Sequence, residues 1–152
     1  MPSTDHPIRT VADADAVAAA AHAGQSDKAG RPAIEHVRAV AAALRDHGEH
    51  AEIAGLLHDV VEDTPLTTEE LRRRQCPEAV VRAIDAVTRR PDEPYLDMVA
   101  RAAADPLGRL VKLADNAHNA DESRLRRLAP ATAERLRRKY AAARQILTRE
   151  PA

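Results

Sequence analysis

Phenylalanine and tryptophan are absent from this chain, and tyrosine occurs only twice in 152 residues. That shortage excludes a sandwich core built on aromatic pairs, so the core has to come from Leu, Val, Ile and Ala. Long β-branched runs are missing as well, which leaves strands with little support. Cysteine occurs once, at Cys76, so no internal disulfide can form. The formal charge is −1, from 23 Lys and Arg against 24 Asp and Glu. A general nucleic-acid binder needs a positive excess that this chain lacks. No apolar stretch approaches the length of a membrane span, and the opening MPSTDHPIRT carries no apolar signal core. Together these absences predict a cytoplasmic protein that partners neither nucleic acid nor membrane.

What is abundant is alanine, at 33 of 152 residues, together with Leu, Arg and Glu. These are strong helix formers, and small side chains let helices pack closely. The expected fold class is therefore all-α, a single-domain helical bundle of roughly seven to nine helices over residues 1–152, with residues 1–10 frayed. Val11 to Ala23 reads as an Ala-rich helix with Asp13 and Asp15 in its first turns, where the helix dipole favours anions. GQSDKAGRP, with two Gly and a Pro, reads as a loop. Ile34 to His47 carries an apolar stripe of Val37, Val40, Ala41 and Leu44, and Gly48 supplies a stop. A third helix runs from Glu49 to Val60 or slightly beyond. Thr67 or Thr68 caps a short helix containing Leu71. Pro77 opens a helix with Val80, Val81, Ile84 and Val87 on its inner side. Tyr95 to Ala104, Leu107 to Ala120 and Ala131 to Leu147 complete the set. The Arg-rich stretch from Arg124 to Tyr140 mixes both signs of charge and reads as a solvated helix face.

The chemistry concentrates in LLHDVVEDT, residues Leu56 to Thr64. His58 follows an apolar run, so its imidazole is expected to be buried. A charged Asp59 beside it is costly to bury alone, and a shared cation removes both costs. Adjacent helical residues point about 100° apart, so they share an ion only near a helix end. Glu62, one turn on, faces the same pocket. Further ligands must come from elsewhere, and His36 in PAIEHV and Asp115 in VKLADNAHN are the candidates. Two imidazoles and two carboxylates suit Mn, Fe, Co or Zn and leave room for water. Each signal also has a plain structural explanation. His36 alone can be a satisfied or exposed histidine, Asp115 can pair with Lys112 one turn earlier, and EDT can end a helix. His6, His47, His50 and His118 are assigned no role.

The order of these residues on successive helices resembles the HD superfamily of metal-dependent phosphohydrolases. AAHAGQSDKAGRPAIEHV, LLHDVVEDT, AVTRR and VKLADNAHN narrow the likeness to the hydrolase domain of RelA/SpoT-type alarmone enzymes, and to its free-standing form, the small alarmone hydrolases. The resemblance covers about residues 10 to 149. It implies that His36, His58, Asp59 and Asp115 bind one divalent metal ion, usually manganese. It implies that Glu62 and Asp63 orient and activate the attacking water, and that Lys28 and Asn119 contact a small-molecule nucleotide substrate. His22, Gly24 and Gln25 belong to its first motif and are expected in the pocket wall or directly behind it. The implied reaction removes the 3′-diphosphate of guanosine tetra- or pentaphosphate as pyrophosphate. Synthesis of the alarmone is not expected.

The departures from the family pattern sit on the substrate side. Asp27-Lys28 stands where the family usually has Arg-Lys, and Asp121-Glu122 where Arg-Thr is frequent. Ala33 replaces an aromatic, and Val37 replaces a Pro. These keep open a related substrate, (p)ppApp or the 2′-phosphate of NADPH, and a non-catalytic nucleotide-binding module.

Overall fold

The computed structural model describes residues 6–27 and 29–149. Among them there is no strand; an isolated bridge joins Ser26 to Pro32. Eight helices of six residues or more form the body: α1 (Val11–Ala21), α2 (Ala33–Ala43), α3 (Glu49–Leu57), α5 (Thr68–Arg73), α6 (Glu78–Val87), α7 (Tyr95–Ala104), α8 (Pro106–Asn119) and α10 (Pro130–Leu147). Two single-turn segments, α4 (Val60–Asp63) and α9 (Glu122–Leu125), fall between them. The expected all-α bundle is observed.

Local chemistry sets the helix starts. Thr10 and Asp13 form a reciprocal capping box at α1, Thr67 Oγ1 accepts the Glu70 N–H at α5, and Asp105 accepts the Gly108 N–H at α8. Pro106 and Pro130 occupy first turns, where no amide proton is needed. The helix expected through His47 ends earlier, at Ala43, and a 3-10 turn over Arg45–His47 leads to Gly48, whose φ of 103° reverses the chain.

The main core lies among α1, α2, α3 and α6, with Val40, Ile53, Leu57, Val80 and Ile84 fully buried. α3 is the central element, packed against α1, α2, α6 and α8. Gly55 makes the α2–α3 approach possible, because a Cβ there would lie 2.9 Å from the Ala41 Cα. A second apolar cluster ties α7 to α10 through Met98, Val99, Ala143 and Leu147, and a third ties α9 to α10 through Leu125, Ala133 and Leu136. Leu136, Ala143 and Leu147 are buried as the sequence pattern predicts, while Tyr140 is half-buried beside a cavity.

Residues 6–10 are docked rather than frayed; residues 1–5 lie outside the described residues. Ile8 is fully buried in the main core, its N–H donates to the Arg74 carbonyl at 2.8 Å, and Arg74 Nε donates back to the His6 carbonyl at 2.9 Å. One large apolar side chain in a polar stretch is enough to anchor it. Among the described residues no helix is long and apolar enough to cross a membrane.

Candidate metal centre

The apolar run of α3 stops where charge begins. Leu57 is the last helical residue, His58 and Asp59 form the joint, and α4 starts at Val60. This break solves the geometric problem of two adjacent ligands, since in a continuous helix they would diverge by about 100°. At the joint Asp59 Oδ2 lies 3.3 Å from His58 Nε2. His58 Nδ1 sits 2.6 Å from the Gly55 carbonyl. A carbonyl can only accept, so Nδ1 carries a proton and Nε2 is the nitrogen left to take a metal ion or a second proton.

α2 and α8 close the cluster. His36, in the first turns of α2, places Nε2 2.8 Å from Asp115 Oδ1 and 4.0 Å from Asp59 Oδ2. Asp115 Oδ1 is also 3.4 Å from His58 Nε2. His36, His58 and Asp115 are all buried, and their ligand atoms lie within 4.8 Å of one another. Asp59 faces both imidazoles from the more open side. The cluster thus unites the four residues that the sequence nominates.

The donor set fits a divalent cation. His58 Nε2 is buried, has no hydrogen-bond partner and looks at two carboxylate oxygens. A lone pair between two anions attracts a proton or a metal ion alike. Burial opposes a charged His58, yet Asp59, Asp115 and the Gly55 carbonyl outweigh it and push its pKa up to about 9. Burial also opposes ionisation of Asp115, but Lys112, His36 and His58 hold its carboxyl well below the usual range. Lys112 Nζ sits 2.9 Å from Asp115 Oδ2, so the plain structural pairing is present as well as the cluster.

A second acidic group, Asp59, Glu62 and Asp63, flanks the first. Glu62 Oε1 accepts the backbone N–H of Arg89 at 2.7 Å. Partial desolvation raises the Asp63 pKa, and the neighbouring charges of Asp59 and Glu62 add to it. The Asp63 carbonyl accepts from Gln25 Nε2, and Gln25 Oε1 accepts from His22 Nδ1 at 2.8 Å. His22 and Gln25 are therefore part of the wall, as expected from their motif, and His22 Nε2 is buried without a partner.

His36, Asp59, Asp115, Glu62, Asp63, His22 and Gln25 line a cavity of about 640 Å³. Among the described residues it carries five carboxylates against four Lys and Arg. One divalent ion reverses that sign and makes the cavity attractive to an anion. Asn119 lines it and donates to Asp115 Oδ1 at 3.1 Å. Lys28 lies outside the described residues.

The departures resolve differently. Asp27 Oδ1 accepts the Ala29 and Arg31 N–H groups, and Oδ2 pairs with Arg124 at 2.9 Å. Asp121 caps α9 through the Ser123 N–H, and Glu122 pairs with Arg137. Neither lines the cavity.

Two residues escape the sequence reading. His118 Nδ1 is 2.7 Å from His36 Nδ1, and Arg124 lines the cavity as the partner of Asp27. His118 had a signal, one turn after Asp115 on the same helix. Arg124 had none, because its partner is 97 residues away.

The bundle and its donor set define an all-helical protein with a buried cluster of His and Asp side chains that could hold a cation. The comparison with known families gives the group: the model described as HD domain matches residues 14–140, and the chain belongs to that family. It is 37% identical over 123 residues to a Streptomyces coelicolor protein described as GTP pyrophosphokinase, covering 74% of this chain and 14% of that one. It is 35% identical over 116 residues to a Haemophilus influenzae guanosine-3′,5′-bis(diphosphate) 3′-pyrophosphohydrolase, covering 68% and 17%. It is 35% identical over 124 residues to the Escherichia coli bifunctional (p)ppGpp synthase/hydrolase SpoT, covering 74% and 18%. The chain thus spans less than a fifth of the length of these relatives. Among solved structures, a metazoan SpoT ortholog described as hydrolyzing ppGpp superposes with a TM-score of 0.78, covering 94% of this chain and 88% of that one at 23% identity. That likeness concerns the fold.

Proposed function

We propose that this chain is a metal-dependent 3′-pyrophosphohydrolase acting on guanosine tetra- or pentaphosphate. The observation that carries the reading is the unpartnered His58 Nε2 between Asp59 and Asp115, two residues that line an open cavity together with Glu62 and Asp63. The names of the relatives support the substrate. The chain is proposed to work in the cytoplasm on a soluble small nucleotide.

His36, His58, Asp59 and Asp115 would hold one divalent ion, manganese by family resemblance. Bound there, it supplies Lewis acidity toward a phosphoryl oxygen and lowers the pKa of water. The protein's own groups do the rest. Glu62, fixed by the Arg89 N–H, and Asp63, whose pKa is raised, orient the attacking water and take its proton. The water oxygen bonds to the phosphorus nearest the ribose, and the bond from that phosphorus to O3′ breaks. O3′ takes up a proton, and pyrophosphate leaves beside the 5′-nucleotide. Lys112, Arg89 and Lys139 line the cavity and offset the charge of the phosphates. Asn119 and Lys28 are proposed to contact the substrate.

The test is turnover of ppGpp, ppApp and NADPH by manganese-loaded protein, with products separated by ion exchange and Asp115→Ala as control. Pyrophosphate from ppGpp, lost in the control, is the expected result. Inorganic phosphate from NADPH alone moves the substrate to 2′-phosphates, and no turnover of any of the three overturns the reading.

A further inference from the structure

A second cavity, of about 290 Å³, adjoins the one that holds the metal ligands. Ser26, Asp27, Asn119, Arg124 and Tyr140 line both, so the two spaces meet at the Asp27–Arg124 ion pair. The far wall of the second cavity is apolar, made by Leu125, Leu128 and Leu136. A nucleotide with its phosphates at the cluster would pass its sugar by Asn119 and bring its base to this neck.

The chemistry of the neck is lopsided. Asp27 is not a free anion facing the ligand. Oδ1 is occupied by two backbone N–H groups at 2.9 Å, and Oδ2 holds Arg124 Nη2 at 2.9 Å. Those backbone bonds also brace the loop, where Gly30 takes φ 81° to complete the turn. Arg124 is therefore held at one corner of its guanidinium. Among the described residues Asp27 is the acceptor it bonds, through one Nη2 hydrogen, which leaves the other Nη2 hydrogen together with Nε–H or Nη1–H as a parallel pair of donors. A fixed fork of donors fits two adjacent acceptors on one base edge. Guanine offers O6 and N7; adenine places a donor amino group beside N7.

We propose that the Asp27–Arg124 pair sets base specificity: Asp27 fixes Arg124, and Arg124 selects guanine over adenine through O6 and N7, with the ring against Leu125, Leu128 and Tyr140. This rests on the nucleotide reading of the site. It also gives the Asp at position 27 a function, since an acidic residue there anchors the cation rather than repelling the ligand.

The experiment is calorimetric titration of manganese-loaded protein with GDP and with ADP, which reads the base without requiring chemistry. The wild type is expected to bind GDP about tenfold more tightly than ADP, or better. Arg124→Lys keeps the charge and loses the fork, and Arg124→Gln loses both; in each the preference falls to about threefold or less. Asp27→Asn falls between, with circular dichroism confirming that the variants are folded. Equal binding by the wild type, no binding of either nucleotide at millimolar concentration, or a preference that survives both Arg124 variants overturns the proposal. GDP preference without pyrophosphate release from ppGpp leaves base reading intact and removes the hydrolase. Pyrophosphate release with a preference indifferent to Arg124 does the reverse.

Discussion

His36 can lend Nε2 to a metal only while its other nitrogen carries the proton, and Nδ1 lies 2.7 Å from His118 Nδ1. With Nδ1 of His36 donating, His118 accepts and stays neutral. Burial, His36 and Arg124 all lower the His118 pKa, which favours that form. Such a partner fixes the ligand's tautomer and ring orientation. His118→Ala is expected to weaken manganese binding about ten- to a hundredfold, measured by chelator competition, and an unchanged affinity would remove this role. Asp63 should separate from the ligands. Asp63→Asn is expected to lower kcat by about a hundredfold or more while metal affinity stays within a few-fold. A loss of metal equal to that of Asp115→Ala would place Asp63 among the ligands instead.

At the scale of elements, the joint between α3 and α4 is the feature that makes the site. The sequence makes it legible because apolar residues stop at Leu57 and four ionisable side chains follow within six positions. Asp115 is legible for the same reason, since it follows an apolar segment whose burial the pattern predicts, while His36 opens α2 ahead of its apolar stripe and is marked by its place in the motif order. What is not legible is contact between distant segments. Asp27 looks like an obstacle to phosphate until Arg124 meets it, and Ile8 looks like part of a frayed end until Arg74 receives it. Neither pairing leaves a periodic trace. Arg101 is another such case. Its guanidinium donates to the Asp85, Ala86 and Thr88 carbonyls at the end of α6 and grips Glu93. That clamp shapes the turn from which Arg89 holds Glu62. The Arg101 hydrogen bonds, then the Arg90 N–H, depress the Glu93 pKa to about 2. A depressed carboxylate stabilises fully above the unfolded value of about 4.3, and the contribution is lost as pH falls toward 2. Glu93→Gln is expected to lower the thermal midpoint at pH 7, with the difference from wild type narrowing between about pH 4.5 and 2. A constant difference across that window would show that the pair contributes nothing through its charge.

In the whole molecule, the proposed site joins stability to metal occupancy, because α2, α8 and the joint that follows α3 carry the proposed ligands and the three helices pack on one another. An ion that binds the folded chain and not the unfolded one stabilises it by mass action, by about 2.7 kcal/mol at a hundred times its Kd. Manganese is therefore expected to raise the thermal midpoint in proportion to the logarithm of its concentration. Asp115→Ala should show no such rise, and an equal rise in both would place the ion elsewhere. The net charge of −1 fits the same picture, since the cavity holds more acid than base among the described residues until a cation enters.

One metal ion in this cluster is proposed to make the cavity a pyrophosphohydrolase. The most direct test is to titrate metal-free protein with manganese while measuring bound ion per chain and pyrophosphate released from ppGpp in the same samples. Release is expected to be absent without metal, to rise with occupancy and to reach its plateau at one ion per chain. Release from metal-free protein, or full occupancy of the cluster with no pyrophosphate formed, would contradict it.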